Sequence, residues 1–194
     1  LSTFLFCPTD EGVKNLANVT RDNSEPTSGL NPYIENVGDV MLDTSLFYRK
    51  KTDSKILDSL GVHENEFVLA TIHRDFNTDN EKRLRDITST LNALVKRLPI
   101  VMPLHPRTVQ KLKDFNIPEL EHIKIIPPAS YLEMLALEAN SKFIITDSGG
   151  VQKEAFFLEK PSLILRNETE WTEIVENGNA ILCDADPEKI TQGF

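Results

Sequence analysis

Short β-branched runs and segments of helical periodicity alternate from residue 67 to the last residues, and few folds accommodate such alternation. Residues 67–72 read as a buried strand. Residues 79–98 read as a helix carrying Leu84, Ile87, Leu91, Leu94, Val95 and Leu98 at three- and four-residue steps, and Pro99 stops it. Further strands are expected at 100–104, 123–126, 143–146, 162–165 and 180–183, and helices at 108–115, 131–140, 149–158 and 170–177. Ser130 and Glu133 have the spacing of a capping box, Asn177-Gly178 that of a left-handed helix stop, and Asp186 that of an N-cap. Strands apolar on both faces and separated by helices require a parallel sheet covered on both sides, a doubly wound, Rossmann-like α/β domain. Residues 1–60 read as its lead-in, with strands near 3–6 and 37–40, a helix near 9–19 and another from Asp43. Residues 21–35, rich in Asn, Ser, Pro and Gly, read as a loop or insertion.

The 194 residues suit one well-packed domain. A net charge of −9 excludes the basic footprint on which nucleic-acid binding relies, so an anionic ligand would be held by a few local cations and backbone N–H groups. Apolar runs such as Phe143-Ile144-Ile145 are far too short to cross a bilayer. Cys7 and Cys183 lack metal-type spacing and fit a reduced protein; a cytoplasmic location with no metal and no cofactor is expected. The first residues carry neither an initiator Met nor a basic leader, and the last read as an interrupted helix. The expectation is a piece of a larger protein.

Doubly wound sheets bind ligands beyond the carboxyl ends of their strands. Three polar clusters fall there: Thr71-Ile72-His73-Arg74, His105-Pro106-Arg107-Thr108, and Thr146-Asp147-Ser148-Gly149-Gly150, which opens a helix carrying Glu154. Ser148-Gly149-Gly150 lets a ligand approach the backbone, and the unpaired N–H groups and positive dipole end of the helix suit a diphosphate. Glu154, one turn inside, can accept two hydrogen bonds from a vicinal diol such as ribose. The same residues also fit a plain cap by Asp147-Ser148, a tight turn and a solvated helix position. His73 with Arg74 suits phosphate binding, leaving-group stabilisation or proton transfer, and equally a histidine hydrogen-bonded within its loop; His105 with Arg107 carries the same two readings. Trp171 reads as a core or interface anchor. No P-loop, GxGxxG, HExxH or GxSxG motif supports an ATPase, dehydrogenase, zincin or serine hydrolase.

Taken in order, Cys7-Pro8-Thr9-Asp10-Glu11, Gly38-Asp39-Val40-Met41, Thr71-Ile72-His73-Arg74, Pro103-Leu104-His105-Pro106-Arg107, the segment from Thr146 to Ala155, and Leu165-Arg166-Asn167-Glu168-Thr169-Glu170 resemble the UDP-N-acetylglucosamine 2-epimerase family. The most specific piece is Asp147-Ser148-Gly149-Gly150 with Gln152 and Glu154, and agreement covers nearly the whole chain apart from the loop near 21–35. The resemblance implies residues 1–194 to be the UDP-binding C-terminal half of a GT-B-type two-domain enzyme, without its last helices and with the active site in the cleft between the domains. It implies an isomerase of polysaccharide precursor synthesis. Non-hydrolysing members interconvert UDP-GlcNAc and UDP-ManNAc by removing the C2 proton, expelling UDP to give 2-acetamidoglucal, and recapturing UDP. Matched position by position, Ser148, Gly149 and Gly150 would hold the diphosphate and Glu154 the ribose hydroxyls. His73 would help UDP depart, and the backbone at Met134 would read the uracil. Arg74 and His105 match positions that contact a second, regulatory UDP-GlcNAc in some bacterial members. The family's proton-transferring acids lie in the N-terminal domain, so the chain alone is expected to bind UDP weakly and to catalyse nothing. Besides the UDP-sugar, the implied partner is a second copy, as a homodimer of the full-length protein.

Departures from the family pattern bear on the sugar. The usual Thr-Glu-Arg-Pro-Glu reads Thr169-Glu170-Trp171-Thr172-Glu173, so Trp171 stands where an Arg contacts the nucleotide, and Asp75-Phe76 is unusual after His73-Arg74. The Trp version, with Gly38-Asp39-Val40-Met41, is similar to a subgroup that includes epimerases of UDP-2,3-diacetamido uronic acids. The alternatives are a hydrolysing 2-epimerase, a GT-B glycosyltransferase domain and a catalytically inert sugar-nucleotide sensor.

Overall fold

Parallel strands need a crossover between them, and the chain supplies helices for that purpose. In the computed structural model, which describes residues 3–22, 32–118, 120 and 122–194, the first elements are β1 (Phe4–Cys7), α1 (Asp10–Asp22), β2 (Tyr33–Asn36) and α2 (Val40–Arg49). There follow α3 (Lys55–Leu60), β3 (Val68–Thr71), α4 (Asp75–Thr78), α5 (Glu81–Leu94), β4 (Ile100–Pro103), α6 (Pro106–Asp114) and β5 (Lys124–Ile126). The last are α7 (Tyr131–Asn140), β6 (Phe143–Thr146), α8 (Gly149–Phe157), β7 (Ser162–Ile164), α9 (Thr172–Glu176), β8 (Ala180–Leu182) and α10 (Pro187–Gly193). Leu1–Thr44 and Ser45–Phe194 form two separate units.

The first unit departs from the sequence expectation. β1 does not enter the large sheet but pairs in parallel with β2, Phe4 opposite Tyr33 and Cys7 opposite Asn36. β2 begins inside the segment expected to be a loop and ends just beyond it, because Tyr33 and Ile34 supply strand-forming side chains that a Pro- and Ser-rich window conceals. No strand forms at 37–40: Gly38 takes a φ of 79°, and the Asp39 carboxylate accepts the N–H of Met41 at 2.9 Å, so helix starts at Val40 and not Asp43. Arg21 and Asp22 belong to α1, and residues 23–31 of the expected loop lie outside the described residues.

In the second unit all strands are parallel, in the order β5-β4-β3-β6-β7-β8. Period-two alternation decides which helix layer each side chain meets. Val68 and Ala70 of β3, Ile100 and Met102 of β4 and Ile145 of β6 pack with Leu84, Ile87 and Leu91 of α5 and Ile190 of α10. Leu69, Val101 and Ile144 point the other way, onto Leu57 of α3, Leu137 of α7 and Ala155 of α8. The expected two-faced burial is met in β3, β4, β6 and β7, whereas the edge strands β5 and β8 leave Ile125 and Ile181 exposed. The capping box forms as read, Ser130 and Glu133 exchanging side-chain and backbone hydrogen bonds, and Asp186 caps α10. Gly178, with a φ of 76°, turns the chain after α9. The short helix α4, directly after His73-Arg74, was not foreseen.

Ile144 is fully buried at the middle of this second layer. Replacing it with Ala should lower unfolding free energy by roughly 2–5 kcal/mol, measured by urea denaturation; a loss within error would show that the layer repacks.

Candidate functional site

Strand order reverses between β3 and β6, with β4 and β5 outward on one side and β7 and β8 on the other. A crevice beyond the carboxyl ends of two such strands is where a doubly wound sheet accepts ligands. Thr71 lies opposite Thr146, and their hydroxyl oxygens are 2.6 Å apart. The next residue of β6's loop, Asp147, is wholly buried and turns its carboxylate across to the β3 loop. It accepts the His73 N–H (3.1 Å to either oxygen), the Arg74 N–H (3.0 Å) and the Asn77 side-chain amide (3.0 Å). The Nδ1 atom of His73 lies 3.0 Å from the same carboxylate. Nδ1 is therefore the protonated nitrogen, and Nε2 of this half-exposed imidazole is left to face a ligand.

This corrects the reading of Asp147-Ser148 as a joint helix cap. Ser148 alone caps α8, its hydroxyl accepting the Val151 N–H at 3.4 Å, while Asp147 holds the neighbouring loop. Asn77 continues the network: its amide also donates to the Leu165 carbonyl at 3.0 Å, and its Oδ1 accepts from Arg83 Nε and Nη2 at 3.0 and 2.9 Å. Arg83 closes on Asp184, after β8. One chain of polar contacts thus ties together the ends of β3, β6, β7 and β8.

The other expected residues fall around this centre with different degrees of freedom. Gly149 is buried, and a Cβ there would strike the Glu170 carboxylate with the Trp171 indole nitrogen 3.6 Å away. That indole donates to the Gly149 carbonyl at 3.1 Å, so Trp171 anchors the start of α8 to the β7 loop. The Lys153 ammonium stands 4.4 Å from the indole ring centre. Gly150 follows as the second residue of α8. Glu154 is half-buried, not solvated; burial raises its carboxyl above the usual range, opposed by the Tyr131 hydroxyl and the Lys153 charge. The N–H of Met134 is committed to the Ser130 carbonyl at 2.8 Å, in the first turns of α7.

His105 sits at the carboxyl edge beyond β4, where its Nδ1 accepts the Arg107 N–H at 3.2 Å as the cap of α6. Arg107 does not converge on the others: its guanidinium is held by Asp75 and Asp79, each at 2.6 Å. Arg74 joins Arg83, Arg166 and Phe76 around an open depression of about 720 Å³ at the same edge. A smaller one, of about 410 Å³ between α3 and α7, contains none of the expected site residues. Asn77, Arg83, Asp184 and Tyr131 were not foreseen; Asn77, a polar residue three positions after His73-Arg74, was the nearest signal. Among the described residues no group of three metal-ligating side chains forms, and no helix is long and apolar enough to cross a membrane.

Replacing Asp147 with Asn would turn an amide group toward donors that need an acceptor. The expected loss of unfolding free energy is roughly 2–4 kcal/mol in urea titrations, with a new chemical environment at the His73 ring; an unchanged His73 signal would refute the clamp.

Comparison with known proteins bears on what this edge belongs to. The family profile described as UDP-N-acetylglucosamine 2-epimerase matches residues 1–194. A UDP-N-acetylglucosamine 2-epimerase homolog of Methanococcus maripaludis is 42% identical over 202 residues, covering 100% of this chain and 53% of the relative. The UDP-2,3-diacetamido-2,3-dideoxy-D-glucuronate 2-epimerase of Pseudomonas aeruginosa is 40% identical over 194 residues, covering 99% of this chain and 51% of that one. The crystal structure of Methanocaldococcus jannaschii UDP-GlcNAc 2-epimerase in complex with UDP-GlcNAc and UDP superposes with a TM-score of 0.83 at 36% identity, covering 99% of this chain and 53% of that one. The chain spans about half the length of the curated relatives it matches. Its parallel six-stranded sheet is the Rossmann-like half of the GT-B architecture of those enzymes. With a family profile matched from end to end and a fold shared at this level, the chain belongs to the UDP-N-acetylglucosamine 2-epimerase family.

Proposed function

We propose that the parent protein is a UDP-GlcNAc 2-epimerase that interconverts UDP-GlcNAc and UDP-ManNAc, and that this chain supplies its UDP site. The observation that carries this reading is His73, fixed through Nδ1 by buried Asp147 beside the glycine-opened start of α8. Elimination removes the C2 proton and breaks the C1–O bond, and UDP leaves with the bonding pair as a diphosphate that gains negative charge. N–H groups at the start of α8, from Gly149 and Gly150, meet that charge with their dipoles already oriented. His73 Nε2 adds a donor to the departing oxygen when the ring is protonated, while Ser148 sets the helix start and Glu154 takes the ribose hydroxyls. Re-addition of UDP to C1 of 2-acetamidoglucal from the face it left uses the same contacts in reverse, and inversion comes from a proton delivered to the opposite face of C2. In this reading Met134 lies against the uracil through its carbonyl side. Arg74 and His105 line a second UDP-GlcNAc site, and the working enzyme is a cytoplasmic homodimer.

A second reading concerns the sugar. Trp171 stands where the family has an Arg, and the Pseudomonas aeruginosa relative, named for a diacetamido uronic acid substrate, is 40% identical. A UDP-2,3-diacetamido uronic acid is the competing substrate on those grounds.

Full-length protein incubated with UDP-GlcNAc in D₂O should form UDP-ManNAc and acquire deuterium at C2. Free ManNAc would indicate the hydrolysing reaction, turnover of only the uronic acid the second reading, and transfer without deuterium would overturn both. For the chain alone, UDP should shift the amide signals of residues 148–154, and Glu154→Ala should weaken binding roughly tenfold, the worth of one charge-assisted contact pair. No shift there at millimolar UDP would remove the nucleotide from this site.

A further inference from the structure

Three consecutive residues after β7, Thr169-Glu170-Trp171, are fastened to the first turns of α8. The positions they meet, Gly149, Gln152 and Lys153, have the three- and four-residue spacing that gathers side chains on one helical face. The Thr169 hydroxyl donates to Gln152 Oε1 at 2.7 Å and accepts the Trp171 N–H at 3.1 Å. The Trp171 indole donates to the Gly149 carbonyl at 3.1 Å, and the Lys153 ammonium lies 4.4 Å from the centre of its ring. Both neighbours of Glu170 are therefore anchored on α8. Its own carboxylate rests against Gly149. A Cβ at 149 would strike Oε1, and the carboxyl carbon is 3.5 Å from where that Cβ would stand. The space that a glycine opens at the start of α8 is thus filled by a carboxylate of the same chain.

The charges around it favour that position. Arg166 donates to Glu170 Oε2 at 2.7 Å, and the positive dipole end of α8 attracts an anion to its first turn. Partial burial opposes ionisation of Glu170, but its own backbone N–H, Arg166 and Arg74 outweigh burial and hold the carboxyl below the usual range. Arg74 and Arg166 line the same open depression. The groups suited to a diphosphate are the ones that Glu170 engages.

We propose that Glu170 is an internal competitor of the diphosphate, a carboxylate that holds the start of α8 and must withdraw from Gly149 before the phosphates can approach the helix. This rests on the reading of Gly149 and Gly150 as the diphosphate site. Two anions cannot share the open side of one glycine, and at contact distance their charges repel. Withdrawal breaks the Glu170 pair with Arg166 and leaves that guanidinium to the phosphates. Binding is an exchange of one anion for another, and release is the same exchange run backwards.

The test is titration of the unsubstituted chain and Glu170→Gln with UDP and with uridine, followed at the amide signals of residues 148–154, with melting curves for both forms. The substituted side chain keeps its size, and Thr169 and Trp171 keep their anchors, so the melting temperature should change little. UDP should bind Glu170→Gln roughly three- to tenfold more tightly, the worth of one exposed ion pair and one charge at a helix end. That gain should shrink in about 1 M salt, where the Debye length falls to about 3 Å. Uridine, which brings no phosphate to α8, should bind the two forms alike. Equal or weaker UDP binding by Glu170→Gln overturns the proposal, and so does an equal gain for uridine, which would mark a general change in packing. If UDP moves none of these amides in either form, the failure lies with the placement of the nucleotide, and the two failures are told apart.

Discussion

The Asp147 carboxylate is the interaction on which the candidate site depends. A charge with no access to water is tolerable only when donors surround it, and all of its donors come from a segment seventy or more residues earlier in the chain. The Coulombic and hydrogen-bond requirement of one buried group therefore dictates the path of residues 73–77. It also selects the tautomer of His73, because a carboxylate can only accept. Asn77 passes the constraint on to the β7 loop through the Leu165 carbonyl and to β8 through Arg83 and Asp184. The crevice at the switch point is held by this network as much as by the sheet beneath it.

Most of the sheet could be read from the sequence, and the reason is periodicity. Strands such as residues 143–146 must be apolar on both faces to lie between two helix layers, and α7 announces itself through Ser130 and Glu133. The strand at Tyr33–Asn36 was hidden because composition averaged over a window outweighs two strand-forming residues. Strand-end chemistry located His73, His105 and the start of α8, since parallel topology alone sends those positions to one edge. What each residue does there was less legible. A local reading sees Asp147 next to a helix and infers a cap, whereas its partners are distant in sequence. The burial of Glu138 in α7 was overlooked for a related reason: it sits among Leu135, Leu137 and Ala139, and a carboxyl within a buried stretch carries no local sign of burial.

The first unit teaches the same lesson in reverse. Phe4 and Phe6 are more than half exposed, at 60% and 64%, although they lie in a β-strand of strongly apolar composition. Strand propensity describes a pleated, half-buried surface, and it selected the conformation here without naming what covers the face.

If the proposed function holds, an acidic chain must bind an anionic nucleotide, and where its cations are spent bears on how. Arg83 is taken by Asp184, Arg107 by Asp75 and Asp79, and Arg166 by Glu170. Arg74 forms no ion pair among the described residues, and it shares the edge with His73 and the first N–H groups of α8. Replacing the family's Arg by Trp171 removes one more cation, and the indole instead fastens the Gly149 carbonyl, fixing the direction in which those N–H groups point. In the proposed UDP site, affinity for a diphosphate would then rest on oriented backbone dipoles and one imidazole more than on side-chain cations.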